Sequence, residues 1–130
     1  MIAIVTGASS GIGEEFCRAL DSKGLDCIWL VARRSDRLQE VSESLRTPCR
    51  IVTADLSDIE GIRSLTDVIE NERPDVGYLV NCAGFGRFGR TWEISSEDTV
   101  SMISVNVTAL VEVTRCCIPF MGRGSSIIEV

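Results

Sequence analysis

The sequence contains no histidine, a single lysine at Lys23 and a single tyrosine at Tyr78. Without histidine there is no Ser-His or Cys-His pair to activate a nucleophile, and the commonest zinc-ligand sets lose their imidazole. No basic stretch precedes the apolar opening residues 1–5, and no apolar run approaches the roughly 20 residues of a membrane span, so neither a targeting segment nor a membrane anchor is expected. Positive charge is also scarce: thirteen Lys and Arg face nineteen Asp and Glu, giving a formal charge of -6 and a pI near 4.6. Such a balance repels phosphate in general, argues against nonspecific nucleic-acid binding, and leaves any bound anion to be held by local geometry. The expectation is a cytoplasmic protein with neither nucleic acid nor membrane as partner. Internal repeats, linkers and low-complexity stretches are missing too. Cysteine is not scarce, but Cys17, Cys27, Cys49, Cys82, Cys116 and Cys117 lie in apolar segments without C-x-x-C spacing, which predicts buried free thiols.

What is present is a chain of 130 residues, 45% hydrophobic, enough for one domain over 1–130 with its own core. Short β-branched runs alternate with helical patterns, the mark of βαβ units and a parallel sheet. Strands are predicted at 2–6, 27–32, 50–54, 78–82 and 126–130. A first helix is expected to bury Ile12, Phe16, Ala19 and Leu20, with Gly24 as its left-handed stop. Leu38, Val41 and Leu45 mark a second helix that ends before Pro48. Ser57 and Glu60 have capping-box spacing ahead of a third helix with Ile59, Ile62, Leu65 and Ile69 inward. After a glycine-rich loop at 84–89, a long helix starts near Ser95 or Ser96. It turns Met102, Val105, Ala109, Leu110, Val113 and Cys117 inward and stops around Pro119 and Gly122. Right-handed crossovers then favour an α/β doubly wound parallel sheet in the order 3-2-1-4-5, with a ligand crevice at the C-terminal ends of strands one and four.

Between the first strand and its helix lies Thr6-Gly7-Ala8-Ser9-Ser10-Gly11-Ile12-Gly13. Glycines at such a turn let backbone approach a ligand, and the free N–H groups and dipole of the helix start favour a pyrophosphate. A tight connection without ligand is the alternative. A P-loop fits less well, because no lysine follows these glycines.

Thr6-Gly7-x-x-x-Gly11-Ile12-Gly13, Asp55 with Leu56 after strand three, Asn81-Cys82-Ala83-Gly84 after strand four, and Asn106 in the long helix come in the order of a known family. Together they resemble the short-chain dehydrogenase/reductases, with the match running through essentially all of 1–130. The resemblance implies a Rossmann fold cut off after strand five. It also implies that the loop, Ser9 and Ser10 included, holds the pyrophosphate of a nicotinamide dinucleotide, and that Asp55 bonds the adenine amino group. Asn81 to Gly84 would line the cofactor and steady the sheet, and Asn106 would be the active-site Asn. From the residues alone, Asp55 could be a turn former and Asn106 a buried structural amide. Cys82 departs from the second Asn usual in that motif.

At the end of strand two stand Arg33 and Arg34, with no carboxylate at the turn itself. In such folds an acidic residue there bonds the ribose 2′-hydroxyl of NAD, whereas Arg accommodates a 2′-phosphate, so NADP is preferred and NAD is the alternative. Solvated charges at a helix start are the plainer reading of the same two residues.

Family chemistry needs Tyr-x-x-x-Lys, in which the ammonium favours the tyrosinate. Four residues after Tyr78 stands Cys82, so the pair is missing here. The expectation is the NADP-binding portion of an oxidoreductase acting, in complete form, on a small-molecule alcohol or carbonyl compound. A non-catalytic NAD(P)-binding module or scaffold is the alternative. An uncovered fifth strand and the apolar long helix also predict self-association.

Overall fold

The opening run Ile-Ala-Ile-Val-Thr forms β1 (Ile2–Thr6), whose apolar side chains are buried on both faces, as a central parallel strand requires. In the computed structural model, which describes residues 1–130, β1 is flanked by β2 (Cys27–Ala32) and β4 (Val76–Asn81). Outside these lie β3 (Cys49–Thr53) and β5 (Met121–Glu129), giving one parallel sheet in the order β3-β2-β1-β4-β5. Successive side chains of a strand point to opposite faces, and the core divides accordingly. Ile4, Trp29, Val31 and Leu79 join one cluster, while Ala3, Val5, Ile28, Leu30 and Val80 join the other.

The second cluster is covered by α1 (Gly11–Leu20) and α2 (Ser35–Ser44). The inner face of α1 is rotated from the expected one: it buries Gly13, Cys17 and Leu20, and leaves Ile12 58% exposed and Ala19 exposed. The cause is Gly13, which presses so close to the Gly7 carbonyl that no Cβ fits between them and so fixes which face meets the sheet. The helix ends at Leu20, and Gly24 takes its left-handed φ of 69° in the loop beyond rather than at the cap. Leu38 and Val41 anchor α2.

On the other face, α3 (Ile59–Glu72) buries Ile62, Leu65 and Ile69. Its N-cap is Asp58, whose carboxylate accepts the Gly61 N–H at 2.8 Å, rather than Ser57. Ile59, adjacent to that cap, is 49% exposed. The expected long helix is three helical segments: α4 (Ser96–Ile103), a π-helical turn at Ser104–Ala109, and α5 (Leu110–Cys117). The wider turn displaces the inner face, so Ala109, Val113, Cys116 and Cys117 are buried, whereas Met102, Val105 and Leu110 are only half-buried. Val100, Ile103, Val107 and Val111 form an exposed apolar stripe along the same stretch. The helical span Ser96–Phe120 is 25 residues long with a mean hydropathy of 1.3 over 18 of them, long and apolar enough by composition to cross a bilayer. Interspersed Ser, Thr and Asn hid this from a reading of apolar runs. Here its α5 part packs on the sheet and on α3, while α4 buries no residue.

β1 and β2 keep the expected bounds, the ends of β3 and β4 moved by one or two residues, and β5 begins at Met121, five residues before the expected start. Met121 pairs with Val76, then the register slips and Ser126 pairs with Tyr78, with Gly124 at φ 93° in between. All six cysteines are free. Cys17, Cys116 and Cys117 are buried, whereas Cys27, Cys49 and Cys82 are half-buried. Burial pushes all six thiols up, Cys17 and Cys117 to about 12. Of the two tryptophans, Trp29 is buried in β2 beneath the Arg50 guanidinium, and Trp92 is 80% exposed in the loop after β4.

Candidate functional site

The loop leaving β1 is folded tightly onto its neighbours. Ala8 N–H donates to the Val31 carbonyl at 3.2 Å, and Gly7 turns with a φ of 68°. A Cβ on Gly7 would lie 2.7 Å from the Cys82 carbonyl carbon, so glycine is required both by dihedral and by the close pass of β4. Thr6 serves the same junction: its hydroxyl accepts the Ala83 N–H at 3.2 Å and its carbonyl accepts the Cys82 N–H at 3.2 Å. Ser10 occupies the N-cap of α1 in extended backbone but makes no side-chain cap bond, so the first N–H groups of the helix lack that usual acceptor.

A second wall comes from the ends of β2 and β3. Arg33 and Arg34 are exposed, neither has a carboxylate partner, and Arg34 is the N-cap of α2. Asp55 accepts the Ser57 N–H at 3.0 Å. Ser57, through its side chain first and its N–H second, holds the Asp55 carboxyl below the usual carboxylate range, with a smaller pull from the Arg33 charge. Leu56, next to it, is buried.

The third wall follows β4. Asn81 is buried, and its amide donates to Thr114 Oγ1 at 3.0 Å and Glu129 Oε1 at 3.3 Å, tying β4 to α5 and β5. Asn106 is exposed rather than buried, because the π-helical turn carries it off the inner face. There its amide grips one residue at both ends, accepting the Phe85 N–H at 3.0 Å and donating to the Phe85 carbonyl at 2.8 Å. A Cβ on Gly84 would lie 2.7 Å from Asn106 Oδ1.

These walls enclose a cleft of about 310 Å³ at the C-terminal ends of the strands. Gly7, Ser9, Ser10, Ile12 and Gly13 line it from the first loop, Arg33, Arg34, Asp55 and Leu56 from the second wall, and Ala83 and Gly84 from the third. Thr6, Gly11, Asn81 and Asn106 do not line it; Thr6, Asn81 and Asn106 brace its walls from behind. Cys82 lines it from the third wall as well. Sequence reasoning missed Val31, Ala32, Ala54, Ser57, Phe85, Val105 and Val130, which complete the lining. For Val31, Ala54 and Ser57 a signal existed, since each adjoins a residue already singled out or sits at a strand end. Val105 carried none, because it read as core.

The profile of the short chain dehydrogenase family matches residues 1–130. The chain belongs to that family. Among its relatives, the 2,3-dihydro-2,3-dihydroxybenzoate dehydrogenase of Bacillus subtilis is 35% identical over 134 aligned positions, 99% of this chain and 51% of that protein. Sulfoacetaldehyde reductase 2 of Chromohalobacter salexigens is 33% identical, covering 99% of this chain and 53% of that one. A short chain dehydrogenase from Burkholderia cenocepacia, solved in complex with NADP, superposes with a TM-score of 0.85 at 27% identity, over 98% of this chain and 53% of that one. This short-chain dehydrogenase sequence thus spans about half the length of the relatives it matches. Within that half, Gly7, Gly13, Asp55, Cys82, Ala83 and Gly84 line one cleft, with Asn81 and Asn106 behind it.

Proposed function

We propose that residues 1–130 act as one dinucleotide-binding unit, the NADP-holding portion of an oxidoreductase that moves hydride between nicotinamide and a small alcohol or carbonyl compound. The observation that carries this reading is a helix start without a side-chain cap, approached by Gly7 and Gly13, that opens onto the same cleft as the unpaired Arg33 and Arg34. The residues fit the group. A pyrophosphate takes the N–H groups that Ser10 leaves uncapped, next to Ser9 and Ile12. Arg33 and Arg34 meet a 2′-phosphate with charge-assisted bonds. Asp55, ionised well below neutral pH, accepts from the adenine amino group beside Leu56, and Ala83 and Gly84 border the floor of the cleft. Bound there, the cofactor supplies hydride chemistry, while the protein supplies orientation and electrostatics. The names of the relatives above, a dehydrogenase and a reductase, support an alcohol or carbonyl as substrate class. Six cysteines held as free thiols suit a reducing compartment, and we place the protein in the cytosol.

Calorimetry with NADP and NAD tests the reading. Arg33→Ala together with Arg34→Ala should weaken NADP binding roughly tenfold or more and leave NAD binding nearly unchanged, because only NADP carries the group they meet. Equal losses for both cofactors would remove the preference for NADP. A second reading is a module that binds the cofactor without turning it over; within residues 1–130 the only tyrosine, Tyr78, lies within β4 and the only lysine is Lys23.

A further inference from the structure

The π-helical turn Ser104–Ala109 touches two walls of the cleft at once. Asn106 holds Phe85, on the wall after β4. Two residues earlier, the Ser104 hydroxyl donates to the Leu56 carbonyl at 3.2 Å, on the wall after β3. Neighbouring contacts reinforce the first of these, since the Arg87 N–H meets Met102 Sδ at 3.2 Å and the Arg87 guanidinium lies 3.5 Å from Asp98. The Asp55–Ser57 turn has its own internal bond from Ser57, and the backbone of α3 is seated against it at Gly61. Ser104 alone links that turn by a side-chain hydrogen bond to the helix that also carries Asn106. In a regular α-helix, residues two apart face different sides, whereas here the widened turn lets both reach the cleft walls.

We propose that Ser104 is a positioning residue for the nucleotide. It fixes the Asp55–Leu56 wall against the same turn by which Asn106 fixes the Gly84–Phe85 wall, so the width of the cleft is set by one helical segment. This deepens the cofactor reading and rests on it. Leu56 and Asp55 meet the adenosine end of the cofactor in that reading, so loss of the hydroxyl loosens adenosine recognition without removing any group that touches the ligand.

The probe is adenosine 2′,5′-bisphosphate, measured by calorimetry on the full chain, alongside amide hydrogen exchange without ligand. Ser104→Ala and Ser104→Val should raise Kd roughly three- to tenfold, as loss of one neutral hydrogen bond does, and should speed exchange at Ser57. Ser104→Thr, which keeps the hydroxyl at the volume of Val, should restore both. If the parent chain binds the bisphosphate but Ala and Val match it, or Thr behaves as Val, the positioning role is overturned and the cofactor reading stands. If the parent chain does not bind, the cofactor reading falls and the role toward nucleotide falls with it. Exchange at Ser57 reports the wall contact in either case.

Discussion

Gly11 and Gly13 stand two residues apart in one loop and answer to different constraints. Gly11 has a φ of 57° with open space where a Cβ would go, so Gly11→Ala should cost only the left-handed penalty of about 1–2 kcal/mol. Gly13 has ordinary helical backbone but faces the Gly7 carbonyl, and Gly13→Val forces α1 away from the sheet. Its loss of stability should exceed that of Gly11→Ala, and urea denaturation of the two variants checks the order. Asp21 offers a titration test. Its carboxyl is held below the ordinary range by Thr47 above all and then Arg46, whose N–H groups it accepts at 2.7 and 2.9 Å. A lowered folded value means that the stabilisation is fully present above the ordinary Asp value and is lost as pH falls through the lowered one. The Tm difference between the parent and Asp21→Asn should therefore be constant near neutrality and shrink below about pH 4. Single residues were legible where chemistry was local, as with the loop glycines and Asp55. They were not legible where distant backbone decided the matter: the Gly7 carbonyl rotated α1 and left Ile12 outside, and Asp58 displaced Ser57 as cap.

Among the elements, the helical stretch from α4 to α5 departs furthest from its sequence pattern. A continuous period of 3.6 put Asn106 on the face of Met102 and Val113. The π-helical turn breaks that period, and nothing in Ser-Val-Asn-Val-Thr-Ala announces it. The early start of β5 was hidden in the same way, because Gly122 read with Pro119 as the stop of the long helix and only pairing with Val76 makes Met121 a strand residue. The order of strands was legible because each crossover carries its own helix of recognisable length. A change at Asn106 tests the clamp: Asn106→Asp keeps the acceptor for the Phe85 N–H but turns a donor into an acceptor against the Phe85 carbonyl. It should lower stability by about 1–3 kcal/mol and speed exchange at the Phe85 amide, whereas Asn106→Ala should do the second with a smaller first effect.

At the scale of the molecule, β3 and β5 are the sheet edges, and Val100, Ile103, Val107 and Val111 remain exposed on one helical face. Unpaired strand groups and an apolar stripe both recruit other chains, so the 130-residue chain should self-associate more readily than its charge of -6 suggests. Sedimentation at rising concentration measures this, and a monomer throughout would contradict it. For chemistry, orientation of a cofactor without Tyr-x-x-x-Lys should give no NADPH oxidation with a panel of aldehydes and ketones. A robust rate that survives Tyr78→Phe would reveal a proton donor elsewhere. The placement of the two tryptophans makes such experiments readable by light. Trp29, sealed in β2, should emit at short wavelength and resist acrylamide, while Trp92, exposed to water in the loop after β4, should emit further to the red and quench freely. Unfolding should shift the first signal and leave the second nearly where it was, so a single spectrum reports loss of the core against an internal reference.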